Sequence, residues 1–232
     1  MHVTSLPADG EPAGPTVVLL HGFASTGERD FPAERWAEPL HAAGRDVRVI
    51  DLPGHGASPA EAIGTRATIA ALTDAVAGAR GGIDLVGYSL GARLAWDLAS
   101  AVPVQHLVLG GLSPMEPFAA VDFAAARRFA SDGTEPADPL TGFIARMVTA
   151  PGNDADALLR VAEGLGREPF TLADPPAVPT LVVAGSDDPM AAGGEPVAAA
   201  IPGATLLVVP GDHLAALASD EFRAGVLTFL GA

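Results

Sequence analysis

Two kinds of hydrophobic pattern alternate along the chain. Short apolar, β-rich runs occupy residues 16–20, 47–50, 83–86, 104–109, 180–184 and 204–209. Unbroken runs of this length, without an apolar-polar alternation, predict strands buried on both faces of a parallel sheet. Between them, apolar residues recur at helical spacing: Trp36 and Leu40; Ile69, Leu72 and Val76; Leu90, Leu94 and Leu98; and Phe222, Val226, Phe229 and Leu230. A further helix is expected over 195–200, Gly81-Gly82 stops the helix over 65–79, and residues 2–6 read as a short edge strand. Strand and helix in alternation predict a doubly wound, mostly parallel α/β sheet whose ligand site lies at the carboxyl ends of its strands.

The pattern changes over 113–176. Strand signals vanish there, and helical pieces around 121–129, 140–148 and 155–165 are separated by Asp132-Gly133, Pro139 and Pro151-Gly152. The expected organisation is one α/β core, residues 1–112 and 177–232, interrupted by a helical cap insertion over 113–176. A length of 232 residues suits a single core of this kind.

Composition narrows the function classes. With 28 acidic against 13 basic residues, the formal charge is -15, which disfavours nucleic acid as a partner. Every basic residue is arginine, so phosphate-loop lysines and Schiff-base chemistry are excluded. The absence of cysteine excludes disulfides, thiol nucleophiles and thiolate-ligated metals. Mean hydropathy is +0.32, yet no apolar run approaches the roughly 18 residues of a membrane span. The first residues lack the basic start and apolar core of a signal peptide, so a soluble, cytoplasmic protein with no membrane partner is expected. The sequence contains no metal or cofactor motif, and the expected partner is a small molecule.

The candidate chemistry sits at the ends of the predicted strands. Gly87-Tyr88-Ser89-Leu90-Gly91 joins a strand to a helix and leaves room for one exposed serine on a tight turn. His21-Gly22-Phe23 follows the first long strand, and Asp51-Leu52-Pro53-Gly54-His55-Gly56-Ala57-Ser58 follows the second. Gly185-Ser186-Asp187-Asp188-Pro189 and Gly211-Asp212-His213 close the last two. These five motifs, in this order, resemble the α/β-hydrolase superfamily over nearly the whole predicted core; the insertion carries no matching motif.

The resemblance implies an α/β-hydrolase fold with Ser89 as nucleophile and His213 as the base that takes and returns its proton. His21 and His55 fall in loop-shaping motifs. The acid that orients His213 is expected at Asp188, three residues after the glycine that closes its strand; Asp187 and, more distantly, Glu116 stay as alternatives. The backbone amides of Phe23 and Leu90 are implied as the oxyanion hole, with Leu90 opening a helix whose dipole adds a favourable field. The Phe23 ring is read either as pocket lining or as packing.

Tyr88 and Arg93 also make Gly87-Tyr88-Ser89-Leu90-Gly91-Ala92-Arg93 similar to the elbow of the menaquinone-pathway SHCHC synthase. There an arginine at this place helps bind an anionic substrate, so Tyr88 and Arg93 are candidate substrate-binding residues. The competing reading pairs Arg93 with Asp97 one helical turn on. A serine at the elbow sets the chain apart from dehalogenases and epoxide hydrolases, which use aspartate. The leading expectation is a cofactor-independent serine hydrolase, carboxylesterase-like, acting on a small ester or related acyl compound. Elimination or carbon-carbon cleavage by the same residues, and a ligand-binding protein with a vestigial triad, are the alternatives.

Overall fold

A computed structural model describes residues 1–79, 82–192 and 194–232. Its sheet contains β1 (Val3–Leu6), β2 (Thr16–Leu20), β3 (Val47–Ile50), β4 (Ile83–Tyr88), β5 (Val104–Gly110), β6 (Thr180–Gly185) and β7 (Thr205–Val209). The spatial order is β1-β3-β2-β4-β5-β6-β7, with β1 antiparallel to β3 and every other pair parallel. Around it lie α1 (Gly27–Asp30), α2 (Ala33–Ala42), α3 (Thr65–Val76), α4 (Leu90–Leu98), α5 (Phe123–Asp132), α6 (Pro139–Val148), α7 (Ala155–Arg167), α8 (Glu195–Ala200), α9 (His213–Ala218) and α10 (Asp220–Leu230).

The sheet separates two cores because successive side chains along a strand point to opposite faces. Val18 and Leu20 of β2 join Leu72 and Val76 of α3 and Leu94 and Leu98 of α4 on one face. Val17 and Leu19 join Trp36 and Leu40 of α2 and Phe222 and Val226 of α10 on the other. Both faces of β2 and β4 are therefore buried, and that is why these strands read as continuous apolar runs.

Between β5 and β6 the described residues form no strand, only a 3₁₀ turn (Pro117–Ala120) and α5 to α7. An aspartate precedes each of these three helices. Asp122, Asp138 and Asp154 accept from the amides of Ala125, Thr141 and Ala157, each satisfying an otherwise orphaned donor of the first turn. Ala126, Ile144 and Leu158 then bury their side chains in the same core as α3 and α4.

Two short helices were not legible in the apolar pattern: α1, in the small polar loop after β2, and α9, where a loop was expected. Helix α3 ends at Val76, short of residue 79; Gly81, half of the expected stop, lies outside the described residues. Among the described residues no helix is long and apolar enough to cross a membrane.

Strand order reverses beside β2: the chain goes from β2 out to β3 and returns across it to β4. The loops after β2 and β4 thus meet at the carboxyl edge of the sheet. A Cβ placed on Gly22, just past β2, would lie 3.5 Å from the Cβ of Ser89, just past β4.

Candidate active site

Ser89 is where β4 becomes α4. Its φ and ψ are 52° and -113°, a conformation that costs a non-glycine residue about 1–3 kcal/mol. Main-chain bonds hold it there, from Ser89 N to Gly110 O at 2.8 Å and from Arg93 N to Ser89 O at 3.0 Å. The flanking glycines permit the approach: a Cβ on Gly91 would overlap the Leu20 carbonyl of β2, and one on Gly87 the Gly91 carbonyl. Leu90 is the first residue of α4, where amides have no intrahelical acceptor and the helix field favours negative charge.

His213 opens α9, with Asp212 capping the helix by accepting from the amides of Leu214 and Ala215. Its Nδ1 lies 2.7 Å from Asp188 Oδ2. Asp188 is 4% exposed, and its other oxygen accepts from Met190 N at 2.9 Å and Ala191 N at 3.2 Å. Burial opposes ionisation of this carboxyl, but the hydrogen bond and charge of His213, with the two amides, outweigh it and hold Asp188 below the usual carboxylate range. An ionised Asp188 accepts the Nδ1 proton and leaves Nε2 as the basic nitrogen. The neighbouring Asp187 is exposed and turns to the Ser186 hydroxyl at 3.0 Å.

Gly110-Gly111, at the end of β5, links serine to histidine. Gly110 accepts from Ser89 N, while Gly111, at φ 59°, leaves the space in which the His213 ring lies; a Cβ there would come within 2.9 Å of His213 Cε1. Tyr88 fills the other side. Its ring packs at 5.4 Å on Phe222 and 5.3 Å on His213, and its hydroxyl donates to the His213 carbonyl at 2.5 Å. Burial, with the charge of Asp188, raises the Tyr88 pKa, so the phenol stays a neutral donor. The sequence pointed to Tyr88 as a substrate contact; the structure buries it as a brace beneath His213.

His21 and His55 shape the loops. His21 accepts from Leu52 N at 2.9 Å through Nε2 and donates Nδ1–H to its neighbour's carbonyl, Gly22 O, at 2.7 Å, tying the end of β2 to that of β3. His55 accepts from Ala24 N at 3.0 Å and donates to Pro53 O at 2.8 Å. The amides on both sides of Phe23 are thus committed, that of Gly22 to Asp30 at 2.8 Å and that of Ala24 to His55. The Phe23 ring packs on His55 at 5.5 Å and on Phe118 at 4.9 Å, and is buried. His106 instead pairs with Asp84 at 2.8 Å at the opposite, amino end of β4.

Both loop histidines are held neutral. Burial first, and His21 second, lower the His55 pKa from 6.5 to about 3, and burial lowers that of His21 as well. Between these values the unfolded chain binds more protons than the folded one, so stability falls as pH drops through 6.5 toward 3. Lowering the pH from 7.5 to 5 is expected to remove about 2 kcal/mol through His55 alone. Urea midpoints at the two pH values measure it, and His55→Gln should flatten the slope; an equal slope in that variant would place the effect elsewhere.

Two of the three guanidinium nitrogens of Arg93 are engaged, while the buried Nη1 makes no hydrogen bond among the described residues. Arg93 is 4% exposed, with Nε 2.8 Å from Glu116 Oε2 and Nη2 2.6 Å from Thr65 Oγ1 and 2.9 Å from Glu168 O. The expected partner Asp97 lies at 3.7 Å, farther than Glu116. Glu116, the distant alternative for the acid, is engaged by this guanidinium, whereas Asp188 faces His213. Among the described residues, no group of three or more His, Cys, Asp or Glu side chains is placed to hold a metal ion. Gly110-Gly111 and the bracing roles of Asp30 and Tyr88 escaped the sequence reading; a glycine pair closing a strand beside the elbow strand was the available signal.

Comparison with known proteins bears on the family and the fold. The family model described as the Alpha/beta hydrolase family matches residues 17–224. The 2-succinyl-6-hydroxy-2,4-cyclohexadiene-1-carboxylate synthase of Salmonella paratyphi C is 37% identical over 97 residues, 41% of this chain. That alignment spans only 36% of the synthase. Among solved structures, MenH from S. aureus superposes with a TM-score of 0.76 at 23% identity, over 99% of this chain and 98% of that one. A hydrolase from Pseudomonas aeruginosa PA01 superposes with a TM-score of 0.66 at 25% identity, over 99% and 94%. With the strand order, the elbow and the match over most of its length, the chain belongs to the alpha/beta hydrolase family.

Proposed function

We propose that the protein is a serine hydrolase of small carboxylic esters or related acyl compounds, needing no cofactor. The observation that carries this reading is the 2.7 Å pair of His213 with buried Asp188, set against the same glycine pair as the strained Ser89. Ser89 Oγ adds to the acyl carbon while its proton passes to His213 Nε2, and Asp188 stabilises the resulting imidazolium. The amides of Phe23 and Leu90 hold the oxyanion. Collapse expels the alcohol, which leaves with the proton from His213. A water then attacks the acyl-enzyme, giving a proton to His213, which passes it to Ser89 Oγ as the carboxylic acid departs and the free enzyme is restored. The helices between β5 and β6 act as a cap that shapes the acyl and leaving-group sides.

The partial identity to the synthase favours one second reading, an elimination run by the same residues. Both readings need a reactive Ser89. A fluorophosphonate probe should therefore label the protein stoichiometrically, with the adduct mass on the peptide containing Ser89. Labelling elsewhere, or none, would favour a ligand-binding role. Hydrolysis of p-nitrophenyl acetate by the unlabelled protein, abolished on labelling, then separates ester hydrolysis from elimination alone.

A further inference from the structure

The buried guanidinium of Arg93 gathers both ends of the helical segment between β5 and β6. Glu116, immediately before the 3₁₀ turn, accepts from Arg93 Nε on Oε2, from Phe118 N at 3.2 Å on Oε1 and from Phe170 N at 3.4 Å on Oε2. The carbonyl of Glu168, immediately after α7, accepts from Arg93 Nη2 and from the Thr65 hydroxyl at 3.0 Å, and its carboxylate accepts from Arg66 N at 2.9 Å. The start and the end of the segment are therefore fixed to α4, one turn past Ser89, and to the first turn of α3. Arginine suits the post because its planar fork serves several acceptors at once and remains charged when buried.

The segment held in this way touches the oxyanion loop. Phe118 packs edge-on against Phe23 at 4.9 Å, and Asn153 Nδ2 lies 3.5 Å from Ala24 O. Helix α7 rests on Gly54, where an added Cβ would meet Val161 Cγ2 at 3.2 Å, and the adjacent His55 accepts from Ala24 N. A shift of the segment would be transmitted to the Phe23 amide, while the His213–Asp188 pair is anchored by the Met190 and Ala191 amides and the Tyr88 hydroxyl.

We propose that Arg93 and Glu116 form a clasp that positions the helical segment and, through Phe118, the oxyanion loop, and that Arg93 is a positioning residue and not a substrate-anion ligand. The kinetic half of this inference rests on the hydrolase reading; the structural half does not. Arg93→Met, Arg93→Lys and Glu116→Gln are compared with the parent protein on neutral p-nitrophenyl acetate and on carboxylate-bearing mono-p-nitrophenyl succinate. Amide hydrogen exchange is followed over residues 117–167.

Arg93→Met should lower kcat on both esters by the same factor, about 10- to 100-fold, with KM changed less and the ratio between the esters unchanged. Exchange over 117–167 should accelerate by about tenfold. Arg93→Lys should recover part of both, and Glu116→Gln should shift both in the same direction as Arg93→Met. A loss confined to the succinate ester, expressed in KM, would make Arg93 an anion ligand and overturn the proposal, as would unaltered exchange in all three variants. Should Arg93→Met not fold, Arg93→Lys and Glu116→Gln decide it. If the parent protein hydrolyses neither ester, the hydrolase reading fails, and the exchange measurement still tests the clasp.

Discussion

Ser89→Ala should lower kcat for p-nitrophenyl acetate on the order of 10⁵-fold, with KM changed by less than about threefold. In the proposed mechanism the hydroxyl forms the covalent bond, so its loss would remove the whole acyl-enzyme route and leave only what the oxyanion amides and binding contribute. Folding should be unaffected. The bonds that fix this residue run through its main chain, to Gly110 and from Arg93, and alanine retains both as well as the Cβ that already occupies the strained elbow. Thermal midpoints within about a degree of the parent, together with the kinetic collapse, would establish a catalytic loss. Retained turnover would move the chemistry away from the elbow.

The sheet was legible in the sequence because its central strands are covered on both faces, which leaves little room for polar residues in β2, β4 or β6. The elbow was legible for a steric reason, since only glycine fits at Gly87 and Gly91 against the Leu20 carbonyl and its own next turn. Helix α9 was not, because six residues offer too little periodicity to separate a helix from a loop. Its signal was chemical instead, an aspartate placed to cap the amides of Leu214 and Ala215.

Arg93 marks the limit of local reasoning. Helical spacing identifies Asp97 as a neighbour one turn on, and the two do approach to 3.7 Å. The nearer partner, Glu116, comes from a loop beyond β5, and nothing in a pattern of helices interrupted by Pro and Gly reveals that the two ends of a segment converge on one side chain. Tyr88 is a related case. Its place in the motif suggested contact with substrate, but a side chain from the last position of β4 enters the layer between the sheet and α10, where Phe222 waits.

The adjacent aspartates after β6 could be ranked in the sequence only by resemblance; in the structure they face different ways. Asp188 turns inward to His213 and Asp187 outward to Ser186, so two isosteric changes should differ sharply. Asp188→Asn should lower kcat on the order of 10⁴-fold with little change in KM. The asparagine carbonyl can still accept from Met190 and Ala191, as Asp188 Oδ1 does now. That leaves an NH₂ group facing His213 Nδ1, which must then accept, forcing the remaining proton onto Nε2 and blocking the nitrogen that deprotonates Ser89 in the proposed mechanism. The imidazolium also loses the negative charge that stabilises it. Asp187→Asn should stay within about twofold of the parent, as expected for an exposed side chain away from the reacting groups. Initial rates on p-nitrophenyl acetate across pH 6 to 9, with circular dichroism to verify folding, measure both. If Asp187→Asn collapsed and Asp188→Asn did not, the acid would have to be reassigned. If neither changed the rate, His213 would not be working as a carboxylate-oriented base.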